Sequence, residues 1–151
     1  MLRDILTETM EWFQKAVSVP TNKNLHTQLG CHLEEVNEML MTVSTMDFET
    51  QILLDTAKTA LNALSNHLKT HNDVVMIHQK NREEYLDALC DQIVTAVGCG
   101  HMSDLDVVGA VAEVNRSNFS KFDEHGQPIF NDDLKVMKGP NYQKADLAAY
   151  V

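Results

Sequence analysis

His32-Leu33-Glu34-Glu35-Val36-Asn37-Glu38 is the stretch on which the reading of this chain turns, and Glu83-Glu84-Tyr85-Leu86-Asp87 is its counterpart further along. Each reads as part of a helix. Glu34 and Glu38 are one turn apart, Glu35 pairs with Glu38 at three residues, and Glu84 pairs with Asp87 at three, with Asp91 a turn beyond. Those offsets bring helical side chains together on one face. Carboxylates converging from two helices repel one another unless a cation lies between them, and Mg²⁺ favours such oxygen-rich surroundings. Leu25, Leu29, Leu33, Val36, Leu40 and Val43 form the apolar stripe of the first helix, and the glutamates point largely away from it. On the second, Leu86, Leu89, Ile93 and Val97 form the stripe, with Glu84, Asp87 and Asp91 on its flank. The spacing is compatible with a metal site in a groove, and equally with two solvated acidic faces.

The 151 residues are read as a single domain, with a core over about 24–122 and a loop region over 123–151. Eight methionines against one tryptophan suggest a helical interior filled by flexible side chains. A net charge of −10 argues against a nucleic-acid partner, which needs a basic face. Cys31, Cys90 and Cys99 lack metal-ligand spacing and read as reduced, buried thiols of a cytoplasmic protein. No run is long and apolar enough for a membrane span, and no secretory signal is evident at the start.

In chain order, Leu2–Val17 reads as an amphipathic helix with Ile5, Met10 or Trp12, Phe13 and Val17 on its apolar side, stopped by Pro20. A second helix spans about Asn24–Ser44, with Gly30 explained best by close helix packing. Asp47 is read as the N-cap of a third, running to about His71 with Leu54, Ala57, Leu61, Leu64 and Leu68 as its seam. His67 and His71 have zinc-compatible spacing but fit a solvated C-terminal turn better. Residues 72–80 are ambiguous between an extended connector and a helix start. A fourth helix covers about Asn81–Gly98, with Gly98 and Gly100 as its stop. Ser103 and Asp106 suggest a capping box for a fifth, about Asp104–Phe122, whose stripe is Leu105, Val108, Ala112, Phe119 and Phe122. Asn115, Asn118 and Lys121 recur by threes on one face of it. A small hairpin is compatible with Pro128–Met137 around a turn at Asn131-Asp132-Asp133.

The pattern Glu34-Glu35-x-x-Glu38, a spacer, then Glu84-x-x-Asp87 resembles the signature of the all-α nucleoside triphosphate pyrophosphohydrolases, which include the MazG-like proteins. The runs Leu86–Val94, Glu113–Phe122 and Lys138-Gly139-Pro140-Asn141-Tyr142 are also similar to members of that superfamily, so the resemblance covers roughly residues 24–145. The spacer is longer than usual and holds an additional helix. The resemblance implies an all-α fold: a four-helix-bundle core, one extra helix and an irregular tail. It implies hydrolysis of a (d)NTP to (d)NMP and pyrophosphate, with phosphoribosyl-ATP as an alternative substrate. Glu35, Glu38, Glu84 and Asp87 would ligate Mg²⁺, with Mn²⁺ as a substitute. Glu34 would orient or deprotonate water, or add a ligand. Asn115, Asn118, Lys121 and Lys138 would contact substrate, in a homodimer or homotetramer. A ferritin-like di-iron site is disfavoured because no histidine follows a glutamate by three residues. A non-catalytic helical interaction protein remains the rival from another class.

Overall fold

Each of the first three helices begins where the sequence supplies a hydrogen-bond acceptor for the unpaired N–H groups of a first turn. Asp4 caps α1 (Ile5–Ala16) by accepting from the Thr7 N–H at 3.2 Å. Thr21 and Asn24 form a reciprocal capping box at the head of α2 (Asn22–Met41). Asp47 caps α3 (Phe48–Thr70) as expected, taking the Thr50 N–H at 2.8 Å. The structure, a computed structural model, describes residues 4–151, so Leu2 of the expected first helix lies outside the described residues. With α4 (Arg82–Met102), α5 (Val107–Phe119) and 3-10 turns at Gln79–Asn81 and Ala148–Tyr150, the regular structure among the described residues is helical throughout. The all-α class expected from the sequence is the class observed. No described helix is long and apolar enough to cross a membrane.

Two ends differ from their sequence reading. Helix α4 passes through Gly98 and Gly100 to Met102. Gly100 serves close approach instead of termination, because a Cβ there would overlap the Val107 side chain where the chain turns into α5. Ser103 and Leu105 both donate their N–H to the Gly100 carbonyl, closing that turn. Helix α5 therefore starts at Val107 and not near Asp104. Its cap is Asp106, accepting from the Gly109 N–H at 2.8 Å, and no box forms on Ser103.

The chain gathers into two compact units. One holds α1, α4 and α5, with residues Ile77–Ile129 and Val136–Val151 included; the other is Pro20–Met76 with Phe130–Lys135. In the first, α5 packs against α1 and against α4. Its core is Trp12, Ala16 and Phe122, bordered by Phe13, Val17, Phe119 and Val136. The Trp12 and Phe122 rings stack with centroids 6.0 Å apart, and the Trp12 indole N–H donates to the Asn118 carbonyl at 2.8 Å. The expected stripe of α4 is less covered: Leu86 is 61% exposed, Ile93 47% and Val97 39%. Met137 donates its N–H to the Ile129 carbonyl at 2.7 Å.

In the other unit α2 and α3 pack along one another. Gly30 is the closest point: a Cβ there would sit 2.8 Å from the Ser65 carbonyl and would overlap Lys69. The approach lets the Ser65 hydroxyl donate to the Gly30 carbonyl at 2.8 Å, deep in the interface. Fully buried His26 ties down the connector after α3. Its Nε2 accepts the N–H groups of Val74 (3.2 Å) and Val75 (3.1 Å), while Nδ1 lies 2.7 Å from the Asn22 carbonyl. The ring therefore carries its proton on Nδ1. Residues 72–78 are a non-helical connector: 72–74 bend, with Asp73 at positive φ (55°), and 75–78 carry no regular structure before the 3-10 turn at Gln79. In the Phe130–Lys135 segment, Asn131 donates its N–H to the Lys135 carbonyl at 3.1 Å, and Leu134 has positive φ (61°). Among the described residues the hairpin shortens to single bridge residues, with no strand. Cys90 and Cys99 are exposed and all three cysteines are free, so only Cys31 approaches the buried thiol anticipated.

Gly30→Ala is expected to push α3 away and lower stability by about 1–3 kcal/mol, the range for overpacking a close contact. A denaturant melt checks this, since the change lies in the midpoint with the slope nearly unchanged.

Candidate functional site

The first acidic motif begins on α2 one turn beyond the Gly30 contact, with Glu34 partly buried and Glu35 and Glu38 exposed. Glu34 is the member the structure engages most. Its Oε1 accepts from the Lys69 ammonium of α3 at 2.8 Å, and its Oε2 from Lys135 at 2.7 Å. Partial burial opposes ionisation of Glu34, but these hydrogen bonds and charges outweigh it and hold the carboxyl below its ordinary range. The same bond raises the Lys135 ammonium against the opposing effect of its own partial burial, and the nearby carboxylates of Glu34 and Glu35 add to it. Cys31, one turn before Glu35, is pushed up by burial, so its thiol is kept protonated. A carboxylate held by two ammonium groups takes a proton poorly. Glu34, for which the resemblance implies orienting or deprotonating water or adding a ligand, anchors two cations in this structure.

Glu35 and Glu38 are exposed on α2. Glu84 and Asp87 are exposed on the first turns of α4, where Glu83 and Glu84 also complement the positive end of the helix. Among the described residues, no group of three or more His, Cys, Asp or Glu side chains stands gathered for a metal ion. The donors come as two pairs, Glu35 with Glu38 and Glu84 with Asp87, each spaced by three on an unbroken helix. They fit Mg²⁺ in kind, being hard, exposed oxygen ligands. His67 and His71 stack with ring centroids 4.0 Å apart at the end of α3, the C-terminal turn expected for them.

The polar face of α5 divides. Asn115 is 2% exposed and its amide is occupied by α1. Its Oδ1 accepts from the Thr9 hydroxyl at 3.0 Å, and its Nδ2 donates to the Ile5 carbonyl at 3.1 Å. This placement makes Asn115, for which the resemblance implies substrate contact, a tie between helices, because its face of α5 meets α1. Asn118 is half-buried, and its carbonyl holds Trp12. Lys121 lies with its ammonium 5.7 Å from the Trp12 ring centroid. Lys138 is exposed, its ammonium 4.8 Å over Tyr142. Glu113 grips Arg116 with two bonds of 2.7 Å and also accepts the Asp146 N–H at 2.9 Å. Those bonds pull its carboxyl down to about 2. Lys69 has no part in any sequence motif; it lies 35 residues from Glu34, and only helix packing reveals the pair.

No protein-family model matches the sequence, and no curated protein matches it. A solved structure does. The chain is similar to a protein from Exiguobacterium sp. 255-15, provisionally assigned as an NTP pyrophosphohydrolase, at 22% identity and a TM-score of 0.63. The match covers 95% of this chain and 89% of that one. The two share a fold.

Asn115→Leu is expected to lower stability by about 1–3 kcal/mol, since the Thr9 hydroxyl and Ile5 carbonyl lose a buried partner; thermal melting checks it. Glu113 has a folded pKa of about 2 against an ordinary 4.5, so its stabilising contribution is present above 4.5 and disappears as pH falls toward 2. Acid titrations of the wild type and Glu113→Gln should therefore converge over that window.

Proposed function

We propose that this chain is a divalent-metal-dependent nucleoside triphosphate pyrophosphohydrolase, converting a (d)NTP to (d)NMP and pyrophosphate. The observation that carries the reading is that Glu35-x-x-Glu38 and Glu84-x-x-Asp87 both fall, exposed, on unbroken helices of a fold shared with a protein provisionally assigned as an NTP pyrophosphohydrolase. Glu35, Glu38, Glu84 and Asp87 are the proposed ligands of Mg²⁺, or of Mn²⁺ in its place. Bound there, the metal would neutralise phosphate charge and acidify a water molecule. Exposed carboxylates on rigid helices suit that task because a carboxylate group offers only acceptor oxygens.

The chain's own residues supply the remainder. Lys121 and Lys138 are proposed to meet phosphate oxygens, and Asn118 to contact the substrate from α5. Glu34 serves by fixing lysine positions and not by removing a proton. Leu86, Ile93, Val94 and Val97 leave an apolar side of α4 exposed, which supports a homodimer or homotetramer in which a second copy covers it. The free cysteines fit a cytoplasmic setting.

Pyrophosphate release is measured across the common NTPs and dNTPs with Mg²⁺ and with Mn²⁺. Glu38→Ala and Asp87→Ala should each lower turnover about 10²-fold or more, in the range seen when a preorganised electrostatic contact is removed. Both variants should keep the wild-type helical circular dichroism. Full activity in either variant would discard the ligand assignment. A wild-type melting temperature unmoved by millimolar Mg²⁺ plus nucleotide would favour a non-catalytic interaction protein.

A further inference from the structure

Two ammonium groups meet on the single carboxylate of Glu34, with the Glu35 carboxylate near enough to act on Lys135, in a chain whose net charge is −10. The two lysines are not equivalent. Lys69 is 13% exposed in its side chain and sits on the rigid α3, whereas Lys135 is 43% exposed. The Lys69 backbone is held further, its carbonyl accepting from the Lys23 ammonium. Lys69 is therefore the fixed partner of Glu34 and Lys135 the available one. A half-exposed ion pair contributes little, so the second contact is readily exchanged for a better anion.

A bland reading is that Lys135 merely staples its loop to α2, but that loop is anchored without it. The Thr27 hydroxyl donates to the Asp133 carbonyl at 2.5 Å, and Lys23 lies 3.9 Å from the Asp133 carboxylate. The Asn131 side chain accepts the N–H of Asp133 at 3.1 Å and of Lys135 itself at 2.8 Å. The Lys135 backbone is thus fixed independently of its ammonium group. A half-exposed ammonium on a fixed backbone, whose direct ion pair with Glu34 is exchangeable, can be offered to another anion.

We propose that Lys135, parked on Glu34 and released while Lys69 remains there, binds inorganic pyrophosphate or the equivalent β,γ-phosphates of a triphosphate beside Glu35. As a contact of the hydrolytic substrate this rests on the pyrophosphohydrolase reading; as an anion subsite it stands by itself. Lys69 is a positioning residue, keeping Glu34 neutralised when Lys135 leaves.

Isothermal titration with inorganic pyrophosphate, first without divalent metal, tests the subsite in the full chain. Wild type should bind. Lys135→Ala should weaken binding about 10-fold or more, the scale of a charge-assisted hydrogen bond. Lys135→Arg should restore most of it, and Lys58→Ala, removing a lysine paired with Asp55 on α3, should change nothing. Lys135→Gln, which retains the stem, carries the test if the alanine variant loses its fold. In turnover, Lys135→Ala should raise KM for the triphosphate more than it lowers kcat, a split that a loop staple would not produce. Absent binding in wild type, or equal binding in wild type and Lys135→Ala, would overturn the proposal. Pyrophosphate binding that depends on Lys135 in a chain that cleaves no NTP would uphold the subsite and remove the hydrolase reading instead.

Discussion

Helices α2 and α3 can approach closely only because residue 30 has no side chain. From that absence follow the Ser65 bond to the Gly30 carbonyl and the arrival of Lys69 at Glu34. A carboxylate one turn along from a tight helix contact is met by a lysine whose stem the same contact positions. Lys135 then completes a three-member ion cluster at the head of the acidic motif. The electrostatics of the candidate site are therefore a consequence of backbone packing. Glu34, Glu35 and Glu38 share a residue type and a helix but not an environment.

The unit built on α1, α4 and α5 is organised differently. Here a polar face does structural work. Asn115 bridges to Thr9 and Ile5, Ser117 donates to the Gln143 carbonyl at 2.8 Å, and the Asn118 carbonyl receives the Trp12 indole. Burying such groups is tolerable because each finds a partner. The aromatic cluster of Trp12, Phe119 and Phe122 shares its surroundings with Lys15 and Lys121, whose ammonium groups lie near ring faces. Cations and aromatics on this face stabilise one another whether or not a substrate is present. The functional and structural uses of these residue types are chemically alike, and burial distinguishes them.

Apolar surface is the other feature that unifies the molecule. Among the described residues few large hydrophobic side chains are buried, Trp12, Leu68 and Phe122 being examples, while α4 shows Leu86, Ile93, Val94 and Val97 to solvent. A helix pair or a three-helix assembly has room to cover only one side of each helix. The sequence stripe of α4 is real, but a stripe states only that a face is apolar. It does not state which element, or which copy of the chain, covers it.

The sequence by itself determined what depends on nearest neighbours along the chain. Capping by Asp47 and the ending of α1 before Pro20 were legible, as were the all-α class and the helical placement of Glu35, Glu38, Glu84 and Asp87. These follow from local hydrogen-bond supply and from the helical period, which no tertiary contact reverses. Tertiary structure alone decided that Gly100 is a point of close approach and not a stop, because Val107 occupies the space of its missing Cβ. It alone made Asn115 an inter-helix tie and Glu34 a cation anchor, through Thr9, Lys69 and Lys135 at separations of 106, 35 and 101 residues. No local pattern encodes such distant partners. They exist only once helices carrying them have packed, and an asparagine or glutamate on a helix face reads the same before that happens.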